Sequence, residues 1–197
     1  PSRRLGRSLG INNIPPKVCT YSCVYCQVGK THKMQIERCP YYETGDIFKN
    51  VKKQIKNARE KGESIDYLTF VPDGEPTLDA NLGHQIDRLK TLGIKVSVIT
   101  NGSLICRDDV KEDLMKADWV SLKLDSTQNA NWRKINRPQR DLNLDLILKG
   151  MLEFSKHFRG KLVTETMLMH SINTETDLFD EMAQFLTELN PAKVYLA

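Results

Sequence analysis

The sequence of 197 residues contains no run of about 18 or more apolar residues, which excludes a membrane-spanning helix of ordinary length. It has no apolar stretch behind its basic start, Pro1-Ser2-Arg3-Arg4-Leu5-Gly6-Arg7, so a secretory leader is not expected. The expected location is cytoplasmic, with no membrane partner. Thiols there stay reduced, which removes disulfides as the reason for the five cysteines. Strong charge of one sign is lacking too. A net charge of +4 falls short of the clustered excess that marks a nucleic-acid footprint. Internal repeats, low-complexity tracts and obvious linkers are missing, and the length suits one domain with a substantial core. The chain also lacks an initiator methionine and stops inside the strand-like Lys193-Val194-Tyr195-Leu196-Ala197. A single domain over 1–197, a fragment of a slightly longer chain, is the expectation.

What is present is an alternation of two periods. Asp46 to Lys61 sets Ile47, Phe48, Val51, Ile55 and Ala58 on one helical face, and Gly62 supplies the stop. Tyr67 to Val71 is a short strand. Ala80 to Leu92 reads as a helix closed by Gly93, and Ile94 to Thr100 as a β-branched strand. A short helix over 108–116 and a strand over 119–124 follow. Leu144 to Phe158 is a helix, Leu162 to Met169 a strand, and Thr174 to Leu189 a helix ended by Asn190-Pro191. A further strand opens at Val194, and 7–12 can supply one before the cysteines. Repeated strand–helix–strand units imply a parallel α/β sheet with right-handed crossovers. Six strands are too few for a closed eight-stranded barrel. The expected architecture is a partial (β/α)6 barrel, with a flat doubly wound sheet as the competitor. Either places a ligand site at the carboxyl ends of the strands. The polar segment 128–143 reads as a long loop over that face.

Three of the five cysteines fall within eight positions, Cys19-Thr-Tyr-Ser-Cys23-Val-Tyr-Cys26. Three thiolates on one loop can hold three corners of a [4Fe–4S] cube, whose usual complement is four cysteines, and leave one iron open. The alternative is a zinc tetrahedron completed by His32 or Cys39. Cys39 and Cys106 otherwise read as isolated thiols. No second multi-cysteine group is visible, which argues against an additional cluster. Trp132-Arg-Lys-Ile-Asn-Arg137-Pro-Gln-Arg140 joins four cations to an indole. It is read as a basic loop with Trp132 tucked into the core, or as a grip on a phosphate or base.

The spacing Cys19-x-x-x-Cys23-x-Tyr25-Cys26, with an aromatic residue before the last cysteine, resembles the cluster motif of the radical S-adenosylmethionine superfamily. Val71-Pro-Asp73-Gly74-Glu75-Pro76-Thr77, after the second strand, resembles that superfamily's Gly-Gly-Glu-Pro segment, with Asp73 replacing the first glycine. The resemblance extends over most of the chain. Leu9-Gly-Ile-Asn12, Pro15-Pro-Lys-Val18 and Tyr25-Cys-Gln-Val-Gly29 look most like a poorly characterised group of iron–sulfur oxidoreductases distantly similar to the tRNA wyosine-base synthases.

The resemblance implies a radical S-adenosylmethionine core fold and two cofactors, a [4Fe–4S] cluster and S-adenosylmethionine. Cys19, Cys23 and Cys26 would be the metal ligands. Tyr25, Gly74, Glu75, Pro76 and Asn101 (or Thr100) would face S-adenosylmethionine. Asp125 would take its ribose and Lys123 its carboxylate. Period two sends Lys123 and Asp125 to the same side of their strand. Glu165 is either another inward polar contact or an outward, solvated residue. The implied activity is reductive cleavage of S-adenosylmethionine to a 5′-deoxyadenosyl radical, which abstracts hydrogen from a substrate that the residues do not specify. An electron donor such as flavodoxin or ferredoxin is the implied partner, and nucleic acid is one substrate class considered. The reading from a different class is a zinc-stabilised RNA-binding α/β module without catalysis.

Overall fold

The computed structural model describes residues 4–197; Pro1, Ser2 and Arg3, part of the basic start, lie outside the described residues. In chain order the elements are β1 (Ser8–Ile11), β2 (Val18–Cys19), β3 (Lys33–Met34), α1 (Thr44–Glu60), β4 (Tyr67–Phe70), a 3-10 turn (Pro76–Leu78), α2 (Leu82–Lys90), β5 (Lys95–Thr100), α3 (Asp108–Met115), β6 (Trp119–Lys123), α4 (Asn129–Asn136), α5 (Leu144–His157), β7 (Lys161–Thr166), α6 (Thr176–Leu189) and β8 (Lys193–Leu196). The main sheet has six strands in the order β1-β4-β5-β6-β7-β8, every neighbouring pair parallel. That order follows the chain without a reversal. A doubly wound sheet needs a point where the order turns back. The wall is therefore singly wound, the partial barrel expected from the sequence. β2 and β3 form a separate two-stranded parallel pair in the loop region that carries the first cysteine.

Alternation along the strands splits the side chains between two environments. Leu68, Phe70, Val96, Val98, Val120, Leu122 and Leu162 face the helices and join Ile47, Val51, Leu82, Ile86, Val110, Leu114, Ile147, Met151 and Phe154 in the main core. Burying these aliphatic and aromatic groups, each worth roughly 1.5–3 kcal/mol, supplies the principal drive for the fold. The opposite face carries Thr69, Ser97, Ser121 and Glu165, all buried, above a small apolar floor of Leu5, Trp119 and Val163. This second face is the polar one, and it belongs to the interior of the wall.

The segment 128–143, expected as loop, contains α4 instead. Asn129, Asn131 and Asn136 are poor helix formers and no side chain caps its start. Trp132 and Ile135, three residues apart, are both buried and hold the helix down, so tertiary packing overrides propensity. Arg137 closes it in the left-handed conformation at φ 44°.

Candidate active site

The three cysteines sit on a loop at the carboxyl end of the sheet, fastened from three sides. The first fastening is β2, whose Val18 carbonyl accepts the Glu75 N–H at 3.1 Å. One residue earlier, the Lys17 N–H donates to the Asp73 carbonyl at 2.7 Å. Gly74 lies against this backbone: a Cβ there would collide with the Val18 carbonyl oxygen and sit 2.8 Å from Ile14 Cδ1. Glycine is thus required at this position by close approach.

The second fastening is α4 and the residues after it. Ser22 N–H donates to the Asn136 carbonyl at 3.0 Å and Val24 N–H to the Ile135 carbonyl at 2.9 Å. Gln139 N–H reaches the Thr20 carbonyl at 2.9 Å. Trp132, 2% exposed, donates its indole N–H to the Tyr21 hydroxyl at 3.1 Å and meets that ring edge-on, centroids 5.9 Å apart. The indole is thus part of the core. Arg133 lies over it, 5.4 Å from the ring centre.

The third fastening comes from β5 and β6. Asn101, just past β5, donates from Nδ2 to Thr20 Oγ1 at 2.8 Å and to Cys19 Sγ at 3.6 Å. Asp125, just past β6, accepts from the Tyr25 hydroxyl and from Asn136 Nδ2 at 2.6 Å on one oxygen, and from the Met167 N–H at 2.8 Å on the other. Asn136 Nδ2 also lies 3.4 Å from Cys23 Sγ. Burial, then the Asp125 carboxylate, push the Tyr25 phenol well above its usual range, so it stays a donor.

Glu75 is buried, and among the described residues the four groups that donate to it are all neutral. Its Oε1 accepts from the Thr77 N–H at 3.0 Å and from the Thr77 and Thr100 hydroxyls at 2.6 and 2.5 Å; Oε2 accepts from the Asn101 N–H at 2.8 Å. Burial pushes this carboxyl up and the four donors pull it back, leaving it raised. Glu75 also caps the 3-10 turn that Pro76 starts, a position suited to a residue without an N–H.

Lys123 and Asp125 do not pair with each other. Both touch Tyr25: the Lys123 ammonium lies 5.4 Å from its ring centre, while Asp125 takes its hydroxyl. Lys123 Nζ is 3.4 Å from Glu165 on the adjacent strand, and Arg4 grips the same carboxylate with both guanidinium nitrogens. Glu165 is therefore inward and buried, and Arg4 stacks over Tyr195 at 4.7 Å.

Burial pushes the Cys19 thiol up to about 12, with the Glu75 charge adding to it, and burial likewise raises Cys23. Such thiols become thiolates only when positive charge arrives, as it does on metal binding. Cys26 is exposed at the rim of the loop. Among the described residues no three His, Cys, Asp or Glu side chains converge to hold one ion, so His32 and Cys39 do not complete the zinc tetrahedron considered above. Cys39 instead lies beside Asp79, exchanging backbone bonds with Leu78 and Ala80. Thiolates on separate corners of a cube do not point at a single atom, and the loop's donor set suits that arrangement. Sequence reasoning missed Asn136 and Thr20; Trp132 is tucked into the core, one of the two readings given to it, though its bond to Tyr21 was not foreseen. Asn136 lies 113 positions from its cysteine, and no local spacing announces it.

A singly wound parallel wall with a three-thiol loop at its carboxyl end defines a class of proteins. The radical SAM superfamily model matches residues 13–186, and the chain belongs to that superfamily of enzymes. Among curated proteins it is 52% identical over 196 residues to a UPF0026 protein of Methanocaldococcus jannaschii, covering all of this chain and 60% of that one. It is 34% identical over 197 residues to a UPF0026 protein of Synechocystis, covering 71% of it. An S-adenosylmethionine-dependent nucleotide dehydratase of Flammeovirga pacifica is 24% identical over 190 residues, 92% of this chain and 62% of that one. The chain thus spans about three fifths of the Methanocaldococcus relative. Among solved structures, TYW1 with a lysine-pyruvate adduct bound superposes with a TM-score of 0.73 at 17% identity, covering 96% of this chain and 64% of that one. A radical SAM methyltransferase from Sphaerobacter thermophilus gives 0.72 at 15%, covering 96% and 55%. These likenesses carry the fold. No helix among the described residues is long and apolar enough to cross a membrane.

Proposed function

We propose that this chain is the catalytic core of a cytoplasmic oxidoreductase that uses a [4Fe–4S] cluster to cleave S-adenosylmethionine reductively and abstract hydrogen from a substrate. The observation that carries this reading is the loop of Cys19, Cys23 and Cys26, locked by β2, α4 and the ends of β5 and β6 onto the carboxyl face of a partial barrel. The three cysteines would hold the cluster. When bound, it supplies one electron to the sulfonium of S-adenosylmethionine and so opens the route to a 5′-deoxyadenosyl radical. An acidic carrier such as flavodoxin or ferredoxin is the proposed electron source.

The chain's own residues bind and orient. In segment 73–76 the carbonyls of Asp73, Glu75 and Pro76 accept bonds from the protein, and the Gly74 carbonyl is the one for the cofactor's ammonium; Gly74 also brings the segment against the cysteine loop, while Glu75 and Pro76 fix its shape. Tyr25 belongs to the cysteine loop and points its hydroxyl at Asp125, while Asn101 holds the loop at Thr20. Asp125 keeps its Oδ1, which accepts one bond, for a ribose hydroxyl. Lys123, shared with Glu165, is the cation for the methionine carboxylate. Positioning and exclusion of water are the protein's share of the work.

Anaerobic purification tests the reading. The expected product is a brown protein with about four irons per chain that bleaches on reduction. With S-adenosylmethionine and a reductant it should release 5′-deoxyadenosine. Cys23→Ala should lose most of the iron and the cleavage. A colourless protein with one zinc, or a Cys23→Ala variant with full iron and full cleavage, would overturn the assignment.

A further inference from the structure

Two asparagines repeat one geometry. Each uses its side-chain NH2 twice. Asn101 Nδ2 places one N–H on Thr20 Oγ1 at 2.8 Å and the other toward Cys19 Sγ at 3.6 Å. Asn136 Nδ2 places one on Asp125 Oδ2 at 2.6 Å and the other toward Cys23 Sγ at 3.4 Å. An amide nitrogen carries two donors at a fixed angle, so anchoring the first aims the second. The anchors are themselves fixed. Thr20 Oγ1 is also bonded to Ser103 Oγ at 2.7 Å, and Asn101 Oδ1 accepts the Ser103 N–H at 2.9 Å, which decides which way that amide points. Asp125 is held by Tyr25 and by the Met167 N–H at 2.8 Å. Thr20, Ser103, Asp125 and Asn136 are all at most 3% exposed, so both anchors and the Asn136 donor are shielded from water, while Asn101 is half-buried.

A neutral, protonated thiol gains little from two aimed amides. A thiolate carrying cluster charge gains much more, because hydrogen bonds to charged acceptors are about twice as strong as neutral ones. Reduction adds one electron, and sulfur acceptors become more basic. A donor aimed at the sulfur therefore stabilises the reduced state more than the oxidised one and raises the reduction potential. We infer that Asn101 and Asn136 are positioning residues that set the potential of the cluster through N–H···S bonds to Cys19 and Cys23. The inference rests on the cluster assignment above. It assigns Asn101 to sulfur, where the sequence had suggested S-adenosylmethionine, and gives α4 a purpose in the chemistry. Cys26, exposed at the rim, is the corner left to solvent.

The test is an EPR-monitored redox titration of anaerobically reconstituted protein. Asn101→Ala and Asn136→Ala are each expected to make reduction about tenfold less favourable, which for a one-electron couple is about 59 mV more negative. The readout is the potential, so it needs no turnover. Asn136→Ala also removes an Asp125 partner, so an independent measurement uses the unaltered protein. With the asparagine side-chain amides labelled with nitrogen-15, pulsed EPR of the reduced cluster should show weak nitrogen couplings. Either potential unchanged in a variant that still assembles its cluster, or no nitrogen coupling in the labelled wild type, overturns the inference while leaving the cluster standing. A wild type that takes up no cluster defeats the underlying reading itself.

Discussion

Glu75 shows how a buried carboxylate can be tolerated without a cation. Four protein donors converge on its two oxygens, two of them backbone N–H groups that cannot rotate away. Glutamine has the same shape but one oxygen fewer. In either orientation its NH2 faces a backbone N–H, from Thr77 or from Asn101. Glu75→Gln is therefore expected to lower stability by about 1–3 kcal/mol, read from urea denaturation of the metal-free protein. An unchanged midpoint would show that the donors relax. Gly74 gives a second residue-scale prediction. Gly74→Ala drives a methyl into the Val18 carbonyl just before Cys19, and backbone on both sides must shift. The expected result is slower and incomplete iron incorporation with the sheet intact by circular dichroism. Both residues were flagged by their motif in the sequence, Glu75 and Gly74 alike, since Pro-Asp-Gly-Glu-Pro is local. Where the Glu75 oxygens go was only half legible, because two of the four donors, the Thr100 hydroxyl and the Asn101 N–H, depend on how β5 and the turn after β4 meet.

Among the elements, α4 carries the largest difference between pattern and structure. Its asparagines and basic residues read as loop, and two apolar anchors in a helix of eight residues are too few to register as a period. Its partners lie on the cysteine loop, more than a hundred positions earlier. The long helices were legible because their apolar faces repeat through three or more turns: Ile47, Val51 and Ile55 along α1, and Ile147, Met151 and Phe154 along α5, are all buried. Trp132 is the element's main hold. Trp132→Ala should cost about 3–5 kcal/mol, since it removes a buried indole and strands the Tyr21 hydroxyl. Trp132→Phe keeps the packing, loses the hydrogen bond, and should cost less. A fluorescence-monitored denaturation series on the metal-free variants measures both. If the alanine variant were as stable as the wild type, α4 would be an ornament on the fold.

Across the whole molecule, one ion cluster ties the start of the chain to two strands. Glu165 on β7 binds Arg4 and Lys123 together, and its side chain is 11% exposed, so solvent screening is limited. Desolvation alone would raise its pKa; the Arg4 hydrogen bonds and the charges of Lys123 and Arg4 overcome this and hold it below the ordinary value of 4.5. A carboxyl depressed in the folded state stabilises the fold fully above its unfolded value. That contribution fades as pH falls through the lower, folded value. The stability gap between wild type and Glu165→Gln should accordingly be constant near neutrality and shrink below about pH 4.5. Thermal melts across that range check it, and a gap that widens on acidification would reverse the sign. The strand count and parallel order were readable because each βα unit announces itself locally. The Arg4 contact was not, since it joins positions 161 apart and depends on how the wall curves.

That wall runs from β1 to β8 with no pairing between its two outermost strands. In a ring of strands, number and stagger together fix the bore. A strip with two loose margins has no such constraint: its radius can change by small rotations shared among five strand pairs, without breaking one of their hydrogen bonds. The polar face that carries Thr69, Ser97 and Ser121 can thus curve more or less tightly, and a change of that curvature calls for bending rather than for new sequence.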